Sequence, residues 1–224
     1  MERYFTLCLG DATKTLNITN NIMKKYTFLL LFIFILAGRI GTAQNLSFGP
    51  MAGFNVSNLS GKEDTKSKVG LVAGGFFNYS SKNWFGVGVQ ILYSQLGAKL
   101  SASTDAINLN YLQVPILFTY YLSGDNSVGS FRPKLFLGPH VNFLLNAKNN
   151  AGADLNTNSA FYKSTELGVT LGGGFNYALA DKIWLNFDVR YGVGLTDAKQ
   201  SPNVDVSNRA LGVNLGVSFP IGDI

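Results

Sequence analysis

The stretch Asp181–Thr196, DKIWLNFDVRYGVGLT, alternates with a strict period of two. Every second residue from Ile183 is apolar: Leu185, Phe187, Val189, Tyr191, Val193, Leu195. The residues between, past Trp184, are Asn186, Asp188, Arg190, Gly192, Gly194 and Thr196. Such alternation marks a β-strand whose two faces meet different surroundings. The fourteen residues from Ile183 would span about 45 Å, long for an ordinary sheet.

Seven further segments carry the same pattern. They are Leu46–Val56, Val69–Tyr79, Phe85–Ala98, Ile107–Leu122, Lys134–Ala147, Thr165–Leu179 and Arg209–Phe219. The connections alternate in length. Ser80–Lys82 and Ala180–Asp181 are tight and Ser123–Ser130 joins the fourth segment to the fifth, whereas Asn58–Lys68, Lys99–Ala106, Lys148–Ser164 and Thr196–Asn208 are polar loops of eight residues or more. An even number of long strands with short turns at one end and long loops at the other predicts an all-β, eight-stranded antiparallel up-and-down transmembrane β-barrel.

A soluble barrel would have the same strand count but would turn its apolar face inward. The second face is mostly Gly, Ser, Asn, Thr and Gln with few charges, which makes a poor water-exposed surface. It suits a narrow lumen, and closure satisfies the backbone amides that lipid cannot. Charged residues are only 14% of the chain, about half the usual share. Tyr79, Trp84, Phe85, Tyr120, Tyr121, Phe131, Tyr177 and Trp184 lie beside the short turns, which predicts an aromatic girdle there. Both termini then fall on the short-turn, periplasmic side of an outer membrane.

Ahead of the strands, Met23-Lys24-Lys25 opens a basic region, Tyr26–Ala37 is apolar, and Gly41-Thr42-Ala43 offers small residues to a signal peptidase. The apolar run falls short of the roughly 20 residues that span a bilayer. The expectation is a signal peptide over 23–43, cleaved between Ala43 and Gln44, with 1–22 a mis-assigned extension before the true start and 44–224 the barrel. Removing 1–43 takes away Arg3, Lys14, Lys24, Lys25, Arg39, Glu2 and Asp11, which lowers the formal net charge from +5 to +2. The basic pI is therefore no argument for nucleic acid. The single cysteine, Cys8, also leaves, so the barrel has no disulfide or thiolate site.

By parity the lumen receives Gln90, Gln113, His140, Glu166, Asp188, Arg190 and Asn214, with Lys134 nearer the turn end. Asp188 and Arg190 share a face two residues apart, and Arg190 is long enough to reach the carboxylate. Paired charges filling a narrow core are the expected arrangement, and a gated path or ligand site is the sharper alternative. Pro115 and Pro139 sit equidistant from Ser127, so a simple hairpin would set them opposite each other and break the ladder locally. His140 is the only histidine, which leaves little for a His-based metal site or a Ser-His-Asp triad. Gly172-Gly173-Gly174 lies within a strand and lacks the Lys-Ser/Thr of a phosphate loop. No enzyme activity and no cofactor is expected. The long loop Ala147–Tyr162, with Phe161-Tyr162 as an adhesive element, is the candidate for external contacts.

The signal ending in Thr42-Ala43-Gln44, the run Tyr111-Leu112-Gln113-Val114-Pro115-Ile116-Leu117 ahead of Tyr120-Tyr121, and Lys134-Leu135-Phe136-Leu137-Gly138-Pro139 resemble the PorT-like outer-membrane β-barrel family of the Bacteroidota. The resemblance covers about 44–224. It implies an outer-membrane barrel surrounded by lipid and, by its eponymous member, a part in type IX secretion with machinery or surface proteins as partners through the long loops. It transfers no functional residue. The predicted role is structural or interactive, with a small-solute channel or ligand-binding barrel as the alternative.

Overall fold

The computed structural model describes residues 45–60, 65–80, 84–100, 106–156, 162–181, 183–197 and 206–221. The predicted cleavage site at Ala43 and Gln44 lies outside them. Eight long strands follow one another: β1 (Asn45–Ser60), β2 (Lys68–Ser80), β3 (Phe85–Leu100), β4 (Ala106–Tyr121), β5 (Phe131–Lys148), β6 (Thr165–Ala180), β7 (Ile183–Gly194) and β8 (Ser207–Ile221). Thr65–Lys66 adds a two-residue pairing to the loop end of β3. Each strand pairs antiparallel with its neighbours in sequence, and β1 pairs with β8 to close the barrel. The predicted architecture is the observed one.

The partition is inverted relative to a soluble protein. Phe54, Val69, Phe85 and Phe118 stand outward at 60–65% exposure, and Leu135, Leu137, Leu171 and Leu215 do the same at 49–55%. Asn55, Gln90, Asn142, Asp188 and Asn214 are buried. That exterior is suited to hydrocarbon and that interior to hydrogen bonding. The lumen is not uniformly polar, however: Met51, Val72, Phe76 and Leu92 form an apolar patch along β1–β3. Glycine makes room for such rings. A Cβ on Gly172 would run into the Phe136 ring, and one on Gly216 would come within 2.8 Å of Phe76.

Two details depart from the sequence reading. Tyr121 is 4% exposed and Trp184 lines the cavity at the short-turn end of the lumen, so neither belongs to the girdle. The outer belt at the short-turn end instead links Trp84, Tyr120 and Phe85, then Phe131, Phe175 and Phe187, with Phe48 beside Phe219. The prolines break the ladder locally, as expected, but one residue out of the predicted opposition. Pro115 pairs with His140, one residue from Pro139, and the recorded pairing resumes only at Phe118 and Leu137. The register shift of this hairpin lies higher, where Asn110 pairs with Asn146 and Tyr111 with Leu144. Leu145 is the extra residue of that bulge. It moves the following Ala147 to the inside, where it is buried.

A cation on the outer face at mid-strand must enter hydrocarbon. Leu137→Lys is expected to lower stability by about 2–4 kcal/mol, against about 1 kcal/mol or less for Asn110→Lys near the loop end. Equilibrium urea unfolding from phospholipid vesicles measures both.

Candidate functional site: a lumen in three layers

The middle of the barrel holds a charge cluster that converges from five strands. Asp188 and Arg190 of β7 share the inward face, and Arg190 Nη2 donates to Asp188 Oδ2 at 3.0 Å. Lys134 of β5 reaches the other carboxylate oxygen at 2.7 Å. Arg190 then crosses the lumen: Nη1 donates to Gln90 Oε1 of β3 at 2.7 Å, and Nη2 touches Met51 Sδ of β1 at 3.5 Å. With the Asn214 amide oriented to suit its neighbours, its oxygen accepts from Arg190 Nε at 2.8 Å. The guanidinium also lies 5.8 Å from the Phe136 ring centroid. Buried charges persist when paired and hydrogen-bonded, and this cluster meets that condition. Lys134 adjoins Asp188 because β5 and β7 both flank β6, where Gly174 faces Lys134 on one side and Asp188 on the other.

Toward the long-loop end the predicted lumenal residues separate from the cluster. Glu166 is 1% exposed, and its carboxylate accepts from Asn208 Nδ2 at 2.6 Å and from the Asn208 backbone N–H at 3.3 Å. Asn208 Nδ2 also donates to the Tyr111 hydroxyl at 3.3 Å. His140 is buried and hydrogen-bonds through Nδ1 to Thr170 Oγ1 at 2.8 Å. Gln113 lines a small void with Asn55, Ser94 and Thr170. Among the described residues no group of three or more His, Cys, Asp or Glu is placed to hold a metal ion.

Above this layer the interior turns apolar. Leu59, Leu96, Ala98, Ile107, Leu109, Tyr111, Ala147, Tyr162 and Val206 form one buried cluster. On the outside, Asn110 Nδ2 donates to Asn146 Oδ1 at 2.7 Å across β4 and β5, and Lys99, Lys148 and Arg209 are exposed. The partition has reverted to that of a water-soluble protein, so the strands outrun the membrane and carry a small core beyond it. Tyr162, expected to stand out as an adhesive element, is folded into this core instead, and burial raises its phenol pKa. Asn156 holds it by accepting from the Tyr162 N–H and donating to its carbonyl. Phe161 lies outside the described residues.

The short-turn end is open in character. A cavity of about 290 Å³ is lined there by Ser47, Asn78, Tyr121, Arg132, Asn176, Trp184 and Asn186, among others. In the adjoining turn, the backbone N–H and hydroxyl of Ser127 hold the Asp125 carboxyl below its ordinary pKa. Strict parity puts Arg132 with Lys134 and Trp184 with Asn186 on the lumenal face, yet the sequence reading singles out neither as a lining residue: it begins the fifth strand at Lys134 and assigns Trp184 to the girdle. Both lie where the strand emerges from a turn and the phase of the alternation is hardest to fix.

The sequence matches the family model described as outer membrane protein beta-barrel domain over residues 42–200. The chain belongs to that family. It is a small outer-membrane β-barrel protein. No curated protein is similar enough in sequence to count as a relative. Solved structures that resemble it include Neisserial surface protein A (18% identity, TM-score 0.51, covering 78% of this chain and 97% of that one). OprG from Pseudomonas aeruginosa (17%, 0.48, 81% and 97%) and Ail of Yersinia pestis (16%, 0.43, 78% and 99%) are further examples. At 18% identity the likeness to Neisserial surface protein A speaks for the fold alone.

Removing Asp188 would leave two cations in the lumen of this barrel without their shared partner. Asp188→Ala is expected to cost about 3–5 kcal/mol, whereas the triple change Lys134→Met, Asp188→Leu, Arg190→Met should fall within about 2 kcal/mol of the parent. The same vesicle-unfolding measurement compares them.

Proposed function

We propose that the protein is an interaction barrel of the outer membrane, with both termini periplasmic and the long loops displayed on the opposite side. The observation that carries this reading is the double filling of the interior. The Lys134–Asp188–Arg190 cluster spans the middle, and the apolar core from Leu59 to Val206 occupies the loop end. An eight-stranded barrel has an interior about filled by side chains, and a rigid core beneath the loops suits presentation better than conduction. The specific form we favour, on the sequence resemblance to the PorT-like proteins of the Bacteroidota, is an accessory of type IX secretion that meets machinery or surface proteins through the loops.

The secreted and surface proteome of a deletion strain tests that form. Retention of type IX cargo inside the cell is the expected result, and an unchanged proteome would remove the secretion role. Planar-bilayer recording tests the broader reading, which steady open-channel steps would overturn.

The loop core gives a separate check. Tyr162 tethers the loop after β5 to the interior, so Tyr162→Ala is expected to speed cleavage between residues 149 and 164 in limited proteolysis. The barrel itself should stay resistant.

A further inference from the structure

The buried cations of the lumen are not treated alike. Lys134 and Arg190 share Asp188. Arg132, 5% exposed, has no carboxylate at ion-pair distance among the described residues. Its Nε donates to the Ser123 carbonyl at 3.0 Å. The guanidinium carbon lies over two aromatic rings, 4.3 Å from the Tyr121 centroid and 5.7 Å from that of Trp184. Nη2 is buried without a hydrogen-bond partner. A buried guanidinium left short of acceptors is costly, and the usual remedy is a carboxylate or phosphate.

Arg132 also lines the cavity at the short-turn end, and the rest of that lining is complementary. Ser47, Asn78, Asn126 and Ser218 contribute neutral polar groups. Asn186 Nδ2 donates to the Trp184 carbonyl and to Ser218 Oγ, while its Oδ1 is buried with no donor. Asp181 stands on the rim. One cation short of an acceptor, two buried carbonyls short of a donor (Asn186 and, likewise, Asn176) and one carboxylate at the edge specify a ligand. It is an acid group of single negative charge with an N–H or O–H donor close by. A strongly negative ligand would be repelled by Asp181. The volume of about 290 Å³ is at the low end for small-molecule sites, which fits a headgroup-sized molecule.

We propose that this cavity binds a small monoanionic acid group carrying an adjacent hydrogen-bond donor, with Arg132 stacked on Tyr121 and Trp184 as the residue that receives the acid. Two sources share that chemistry: a free amino or hydroxy acid in the aqueous space at this end, and the phosphodiester headgroup of a phospholipid in the adjoining leaflet.

The chain, refolded into a neutral maltoside detergent with Trp84→Phe so that Trp184 is the sole tryptophan, reports directly on the site. Serine and glycerophosphoethanolamine are titrated separately while Trp184 fluorescence is followed. A saturable change with serine alone assigns the free acid, with glycerophosphoethanolamine alone the lipid headgroup, and with both the shared chemistry; each supports the proposal. Arg132→Gln, in a barrel that still folds, is expected to weaken binding about tenfold or more, the equivalent of one charge-assisted hydrogen bond. Arg132→Lys should retain part of it. If Arg132→Gln does not assemble, Asn126→Glu decides: it puts a competing carboxylate at the cavity from an exposed turn and should abolish the response. No saturable change with either probe overturns the proposal. So does parental affinity in folded Arg132→Gln, or in Asn126→Glu where that variant decides.

Discussion

Arg190 reaches from β7 across the lumen to Gln90 on β3, and the rest of the barrel is arranged around what that side chain needs. A cation can lie in the middle of a membrane-spanning barrel only if its charge is met and its N–H groups are engaged. Asp188 meets the charge and holds Lys134 as well. Gln90, Asn214 and Met51 occupy the remaining directions. The cluster thereby ties together strands that are not neighbours in the ladder. Backbone pairing fixes each strand only to the two beside it. Lateral shape in a narrow barrel has to come from contacts through the centre, and here those contacts are ionic as well as apolar, with Phe76 and Phe136 filling the space that Gly216 and Gly172 leave open.

Along the barrel axis the solvent changes and the side chains change with it. At the level of Asp188 the exterior is Val189, Leu137 and Leu215, and the interior is charged. Near the loop end the exterior is Asn110 and Asn146, and the interior is Leu109 and Tyr111. The same strands therefore take part in two cores of opposite sense. Glu166 sits close to the boundary between them. Its carboxylate is met by the Asn208 amide groups rather than by a cation. Hydrogen-bond donors there do for Glu166 what Lys134 does for Asp188.

The barrel was legible in the sequence because a strand between lipid and a polar lumen has no choice but to alternate. The pattern from Ile183 to Leu195 needs no tertiary knowledge to read. The core at the loop end was also written there, less visibly. In Asn108-Leu109-Asn110-Tyr111 the polar residues occupy the face that from Leu112 onward is apolar, a reversal of phase-to-solvent without any change of period. What alternation cannot show is where it slips. Leu145 bulges out of register, and beyond it Ala147 points inward although strict parity would send it out. Tyr121 and Trp184 illustrate a related limit. An aromatic residue beside a short turn reads as girdle even where strict parity, with Thr119 or Asn186, sends it inward, and the Arg132 guanidinium near both rings shows that these two face in. The presence of Lys134 beside Asp188 depends on the registers of two hairpins at once, which no single-strand pattern encodes.

The distribution of satisfied and unsatisfied groups separates scaffold from site. In the middle layer the donors of Arg190 and the carboxylate of Asp188 are matched within the chain, so the cluster gains nothing from an outside molecule and would have to be broken to admit one. At the loop end the interior is apolar and closed by Tyr162 and Leu155 from the loop after β5. At the short-turn end the lumen keeps its largest described space beside unmet hydrogen-bonding capacity, on Arg132, Asn176 and Asn186. A solute entering from that end meets those groups before it meets the Arg190–Gln90 contact that crosses the lumen. The geometry of the interior is thus that of a pocket with a floor, beneath a loop platform whose core it does not share.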